Sequence, residues 1–329
     1  MEHLLLTFNS SKFNNNFSNV HLDDLGNLIL DSNAISGFYE SKVIEMPNFK
    51  KLIASWNSNT SKDTSVEIWV RIRKDTLWST WFTYGKWSDK GQNTGSFSNQ
   101  KDKFAMLDVD VISVLDKTCD ALQFKINLNR KEITNASPII RNISFTYTPD
   151  TYDEIYNEQI EVNKNLEVLP RAQLSVPEIG NIICSPTSLS MVMSYHGINE
   201  SIETVAAGSK DNGTSIYGNW VYNVAYAGER NLFSYIEYCN SINTVKAYIQ
   251  RNIPLVASIR VKNKEDLEGA EQAYPSGHLV VITGFTIEND IEYIFVNDPA
   301  TKDINKVKRK YKLSQFEKAW KNIIYVVNK

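Results

Sequence analysis

A cysteine, a histidine and an aspartate stand in that order along the second half of the sequence, each in a setting that suits thiolate chemistry. Cys184 opens Cys184-Ser185-Pro186-Thr187-Ser188, where an apolar run reads as a helix to His196, with Gly197 as its cap. A thiol at a helix N-terminus meets unpaired backbone N–H groups and the positive end of the macrodipole, and both favour the thiolate. Pro186 suits an early helical position. His278 follows Gly277 at the head of a strand pattern over 278–285, and Asp298 lies in Asn297-Asp298-Pro299 at the end of another over 291–298. The polar residues Thr286 to Asp290 join the two strands. A hairpin symmetric about Glu288 pairs Ile282 with Ile294, Val280 with Val296 and His278 with Asp298. Directly opposed side chains lie ~4.5–5.5 Å apart at Cβ, and a slip of one residue would put the two on opposite faces. In this register Asp298 orients His278 and stabilises its imidazolium, while the other ring nitrogen addresses Cys184. The chemistry implied is attack of a thiolate on an acyl carbon.

Such a site needs donors for an oxyanion. The backbone N–H of Cys184 is one candidate. Gln173, in Leu169-Pro170-Arg171-Ala172-Gln173, could supply a side-chain N–H, although an exposed loop glutamine is common. The other cysteines, Cys119 and Cys239, read as buried small hydrophobes, and His3, His21 and His196 as structural. Asn219 and Trp220 are candidate cleft residues, since a tryptophan flanked by Gly218 offers a flat apolar wall; a core tryptophan is the competing reading.

Residues 1–150 carry short alternating runs separated by Asn, Ser, Gly and Asp clusters, the pattern of a β-sandwich. Val66, Ile68, Val70 and Ile72 share one face of the first clear run, with Trp69 on the other, and 121–128 and 139–147 alternate likewise. Acidic and polar residues over 151–165 read as a linker, with room for a short helix. From 166 to 329 helix and strand mix: a second helix over 244–252, stopped before Pro254, a strand over 255–261, a later strand from about 306, and a last helix over 313–320. A leading helix packed on a later antiparallel sheet is an α+β arrangement.

Length allows two domains with sizeable cores, 329 residues. Hydrophobic content of 42%, charged content of 22% and a formal net charge of -3 give no electrostatic case for nucleic acid or an anionic membrane. Three cysteines do not make a disulfide framework, no CxxC pair suggests zinc, and the four histidines are scattered, so no metal or organic cofactor is implied. Leu4-Leu5-Leu6 is too short for a signal-peptide core and no run approaches a membrane span. The expectation is a cytoplasmic protein, or a secreted or cell-surface one if a leader has been removed.

Residues 168–327 resemble the papain-like cysteine peptidases related to the double-glycine leader peptidases of bacteriocin exporters. The resemblance rests on Val168-Leu169-Pro170-Arg171-Ala172-Gln173, Cys184 to Met191, Gly218-Asn219-Trp220, Gly277-His278-Leu279-Val280-Val281 and Asn297-Asp298-Pro299-Ala300, in that order and spacing. It implies an α+β papain-like fold, a cysteine peptidase, Cys184 as nucleophile, His278 as general base and acid, Asp298 as the orienting acid and Gln173 as oxyanion donor. The Gln173–Cys184 stretch is longer than in papain itself. No membrane span or nucleotide-binding domain reads from the sequence, so bacteriocin maturation is not carried over. The first half, with Ser55-Trp56-Asn57 and Trp78 to Trp87, resembles the jelly-roll-like β-sandwich that precedes such domains in some bacterial proteins.

The leading functional expectation is hydrolysis of a peptide or isopeptide amide in a peptide or protein substrate through a Cys184 thioester, with Gly277, Asn219 and Trp220 as substrate-binding candidates. Two alternatives stay open. The same residues could pass the acyl group to an amine. The first half, with Trp56, Trp69, Trp78, Trp81 and Trp87, could instead bind glycan or cell wall beside an inactive or capped second half, although these rings also suit a sandwich core.

Overall fold

The computed structural model describes residues 5–9, 12–13, 16–150 and 160–329. Most of the expected linker, and any helix in it, lies outside the described residues. Contacts divide the chain into two compact units. The described residues of the first are 5–9, 12–13, 16–150 and 208–231, and those of the second are 160–207 and 232–329. The sequence reading has one continuous second half; here residues 208–231 belong to the first unit instead.

The first unit is a strand-rich sandwich whose ladders form one 14-stranded network. Its long strand Ile44–Asn59 pairs with Cys119–Arg130 near its start and with Ile139–Pro149 along the rest. Thr64–Lys74 pairs antiparallel with Cys119–Arg130. Val66, Ile68, Val70 and Ile72 are fully buried, as period-two alternation requires of a strand with one face on a core. Of the five tryptophans, Trp56 and Trp87 lie in the core and Trp69, Trp78 and Trp81 are half-buried.

The aromatic core explains why residues 208–231 join this unit. Helix Trp220–Glu229 carries Tyr222 into edge-to-face contact with Trp56 at 6.2 Å and Trp87 at 5.4 Å. Buried Glu229 accepts from Trp87 Nε1 at 2.8 Å, from Thr60 N at 3.0 Å and from Thr60 Oγ1 at 2.9 Å. A Cβ at Gly228 would stand 3.0 Å from Asn57 Cα, so the helix reaches the strand only because that residue is glycine. These are non-local contacts that leave no local signal in the sequence.

The second unit has a seven-stranded antiparallel sheet. Its order is Phe233–Tyr238, Trp320–Asn328, Leu255–Val261, Tyr274–Glu288, Ile291–Asn297 and Lys308–Lys312, with Lys164–Asn165 also paired to Tyr274–Glu288. Helices Cys184–Tyr195, Ile202–Ser209, Ile242–Gln250 and Leu313–Ala319 accompany it. The cysteine helix is buried from Ser185 to Met193. Gly197 follows it with φ +94°, as a C-terminal glycine cap does. Strand Leu255–Val261 and the last helix follow the sequence expectation closely. Ile202–Ser209, Phe233–Tyr238 and Trp320–Asn328 are elements the sequence reading leaves out.

Candidate active site

The cysteine helix begins at Cys184 itself. Its N-cap, Ile183, supplies no side-chain cap, so the N–H groups of the first turn are not taken by a capping hydroxyl or carboxylate. Two serines fasten the helix to the sheet. Ser188 Oγ donates to Leu279 O at 3.0 Å, beside His278, and Ser185 Oγ lies 2.9 Å from Tyr325 Oη. Cys184 is half-buried, whereas Cys119 and Cys239 are buried.

The hairpin register differs from the symmetric one expected. The strands continue to Glu288 and Ile291, and the turn is only Asn289-Asp290, with φ of 49° and 62°. Asn and Asp tolerate this left-handed region, and a two-residue turn of this hand matches strand twist. From the turn inward Phe285 pairs with Ile294 and Gly284 with Phe295; a bulge at Thr283 then brings Ile282 opposite Val296 and Val281 opposite Asn297. The tight turn alone would put Val281 opposite Asp298 and leave His278 on the other face. The extra residue restores the parity, so the next position, Asp298, shares the face of Val280 and His278. Gly284 is required there, because a Cβ would lie 2.0 Å from Lys164 O of the short antiparallel strand Lys164–Asn165.

The structure brings His278 and Asp298 together, with Nε2 2.7 Å from Oδ1. Asp298 is fully buried and His278 is 3% exposed. Asp298 Oδ1 also accepts Ala300 N at 3.0 Å, and Oδ2 accepts the Tyr274 and Tyr311 hydroxyls at 3.0 and 3.2 Å. Arg309 Nε lies 4.0 Å from Oδ2. A buried carboxylate so fully hydrogen-bonded and faced by cations satisfies the conditions under which a buried charge is tolerated. Burial alone would raise its pKa; the charge and hydrogen bond of His278 outweigh that, and the carboxyl sits well below the usual range. Burial likewise opposes the imidazolium, but Asp298 and then the Cys184 sulfur raise His278 well above an ordinary imidazole. For Cys184, burial pushes the thiol up, and the hydrogen bond and charge of His278 with the backbone N–H groups of Leu279 and Ser185 bring it down. Cys119 is pushed up to about 12, chiefly by burial. Thiolate and imidazolium therefore support one another at one of the three cysteines only.

Gln173 is 4% exposed and opens a short 3-10 turn. Its backbone N–H donates to Pro299 O at 2.9 Å, tying it to the loop of Asp298, and its Nε2 donates to Gly180 O at 2.7 Å, four residues before Cys184. Its Oε1 is buried with no hydrogen-bond partner among the described residues. The long Gln173–Cys184 stretch thus folds back on itself, and Gly180 permits it, since a Cβ there would lie 2.8 Å from Gln173 O. Gly277 has φ +103° immediately before His278. Asn219 and Trp220 lie in the other unit. Asn219 is buried, caps its helix by accepting Tyr222 N at 3.1 Å and donates to Asp211 Oδ2 at 3.0 Å, so its amide has a structural task. Trp220 is half-buried and its N–H donates to Asp110 Oδ2 at 2.8 Å. Sequence reasoning misses Tyr274, Tyr311 and Arg309. For Tyr274 the signal is Pro275-Ser276-Gly277, a strand interruption just ahead of the histidine.

Residues 165–327 match the Peptidase_C39 like family, and residues 34–148 match the Peptidase C39 N-terminal domain. The peptidase domain of Streptococcus ComA, a bi-functional ABC transporter, is 20% identical and overlays with a TM-score of 0.34, covering 46% of this chain and 96% of that one. A C39-like peptidase from Bacillus anthracis is 18% identical with a TM-score of 0.39, covering 52% and 99%. The C-terminal CBM6 module of LamC from Zobellia galactanivorans is 13% identical with a TM-score of 0.24, covering 43% and 98%. A search of the curated proteins finds no match. The family matches, not these distant overlays, carry the assignment: the chain belongs to the Peptidase_C39 like family and is a cysteine peptidase, with an N-terminal β-rich domain ahead of the peptidase domain.

Proposed function

We propose that the protein hydrolyses a peptide or isopeptide amide with Cys184 as nucleophile, His278 as general base and acid, Asp298 as the orienting carboxylate and Gln173 as an oxyanion donor. The observation that carries this reading is one imidazole held by Asp298 through Nε2 at 2.7 Å while the Cys184 sulfur raises it further and is itself lowered by it. The thiolate adds to the amide carbonyl carbon, and the oxygen takes the charge. Donors to it are the Cys184 N–H at the uncapped helix start and the second N–H of the Gln173 amide, whose first is held by Gly180 O. The imidazolium gives its proton to the nitrogen as the C–N bond breaks, leaving a thioester. His278 then takes a proton from water as its oxygen attacks, and the acid leaves as the C–S bond breaks.

The test is cleavage of a mixed peptide library read by mass spectrometry, with Cys184→Ala as control. New C-termini that vanish in the variant support hydrolysis. Amide products on added glycine amide would make the enzyme an acyl transferase. Cleavage that persists in Cys184→Ala ends the reading.

A second reading concerns the first unit alone. Trp78 and Trp81 lie outside its core and flank Arg71, whose Cζ is 4.8 and 4.6 Å from their ring centroids. We propose that this outer face contacts glycan through the half-exposed indoles. Retention of the Cys184→Ala protein on insoluble polysaccharide, lost with Trp78→Ala and Trp81→Ala together, supports it; no retention ends it.

A further inference from the structure

The Tyr274 ring lies flat on the His278 imidazole, with centroids 4.0 Å apart and planes inclined by 14°. The same residue's hydroxyl donates to Asp298 Oδ2 at 3.0 Å. In a regular strand, residues four apart are separated by roughly 13 Å. The contact exists because the strand is interrupted. Ile259 pairs with His278 and Val261 with Tyr274, so Pro275, Ser276 and Gly277 stand opposite Arg260 alone. The positive φ of Gly277, in a region where L side chains are strained, is part of the path that doubles the chain back. Tyr274 is 5% exposed, so its ring is a fixed wall and not a mobile flap.

We propose that Tyr274 is a positioning residue for the His278–Asp298 pair, an inference that rests on His278 being the base of the proposed reaction. One side chain sets two orientations. Its ring fixes the plane of the imidazole, keeps water from that face and favours the imidazolium through the negative face of the aromatic ring. Its hydroxyl fixes the rotation of the carboxylate, leaving Oδ1 aimed at Nε2. The phenol stays protonated, since burial and then the charges of Asp298 and Tyr311 raise its pKa far above neutrality. The other titratable or charged groups facing the pair are Cys184 from the cysteine helix and Tyr311 and Arg309 from strand Lys308–Lys312, the last two acting through Asp298.

The experiment measures the rate of Cys184 alkylation by iodoacetamide from pH 4 to pH 10, by peptide mass spectrometry, in the full chain. Wild type is compared with Tyr274→Leu, Tyr274→Phe and Tyr311→Phe. An imidazolium made less stable supports the thiolate less, so the midpoint of Cys184 reactivity should rise in Tyr274→Leu by about one pH unit. Tyr274→Phe keeps the ring and loses the hydroxyl, and should recover most of that shift while remaining above wild type. Tyr311→Phe removes a bond to the same oxygen without touching the stack, and should move the midpoint less than Tyr274→Leu. An unchanged midpoint in Tyr274→Leu, or equal shifts in Tyr274→Leu and Tyr311→Phe, overturns the proposal. If Tyr274→Leu fails to fold, Tyr274→Phe decides: an upward shift supports it and no shift overturns it. A wild-type midpoint at the ordinary ~8.5 would instead overturn the proposed reaction itself, so the two failures are distinguishable.

Discussion

Two buried aspartates, one in each unit, have opposite fates. Asp110, in the sandwich unit, is 9% exposed and is raised to about 7: burial dominates, the Trp220 N–H offsets part of it, and the like charges of Asp108 and Asp211 add to it. Asp298 is fully buried too, yet it is lowered, because His278 and Arg309 face it and neutral donors complete its shell. Burial is common to both, so what separates them is the sign of the neighbouring charge. A carboxylate used for structure can be left near neutrality between its two states. Asp298, which faces the His278 imidazole, is kept charged by the cations that the peptidase unit places beside it.

Removing the counter-charge should have the largest effect. His278→Ala leaves Asp298 buried without its cation and Cys184 without the base proposed for it; amide hydrolysis by the folded variant should fall by roughly 10²–10⁴-fold, and steady-state rates on a cleaved peptide check it. Asp298→Asn keeps the shape but not the charge, and should cost about 10–100-fold in kcat/KM, with the alkaline limb of its pH profile moved down because the imidazolium is less favoured.

The smallest effect is on stability and lies in the other unit. The folded-state pKa of Asp110 is above its ordinary 3.8, so its contribution is complete below that value and is lost as pH rises through about 7. Asp298 has the opposite sign: its contribution is complete above 3.8 and is lost as pH falls through its lowered value. Asp110→Asn can still accept from Trp220 N through its amide oxygen. Relative to wild type it should gain stability between pH 4 and pH 8, on the order of 1–4 kcal/mol, while Cys184 alkylation keeps its pH profile. Urea unfolding at both pH values tests this, and a gap that does not change with pH would show that Asp110 is not titrating as its surroundings imply.

Much of this was legible in residue order. The cysteine helix shows in Ser185-Pro186-Thr187-Ser188 and its glycine stop, and Leu255–Val261 in its apolar run, because those signals are local. The hairpin was half legible. Symmetry about Glu288 places His278 directly opposite Asp298, whereas the Asn289-Asp290 turn and the Thr283 bulge shift the pairing by two residues, an even step that leaves both on one face. Bulges depend on what packs beside the strand, here the antiparallel Lys164–Asn165, and alternation does not reveal that. Residues 208–231 were not legible as part of the sandwich unit, since Tyr222 and Glu229 find Trp56, Trp87 and Thr60 across long stretches of chain. Tyr274 was missed for a similar reason: a residue four before the histidine touches it only when the strand between them doubles back.

The most direct test of the account is the pH dependence of Cys184 alkylation by iodoacetamide in wild type and in His278→Ala, read peptide by peptide beside Cys119 and Cys239. The account predicts that Cys184 reacts below pH 7, with a midpoint well under that of an ordinary thiol, that the two buried cysteines do not, and that His278→Ala returns Cys184 to the ordinary midpoint near ~8.5. A wild-type midpoint already at that value, unchanged by His278→Ala, would contradict the thiolate–imidazolium pair on which the account rests.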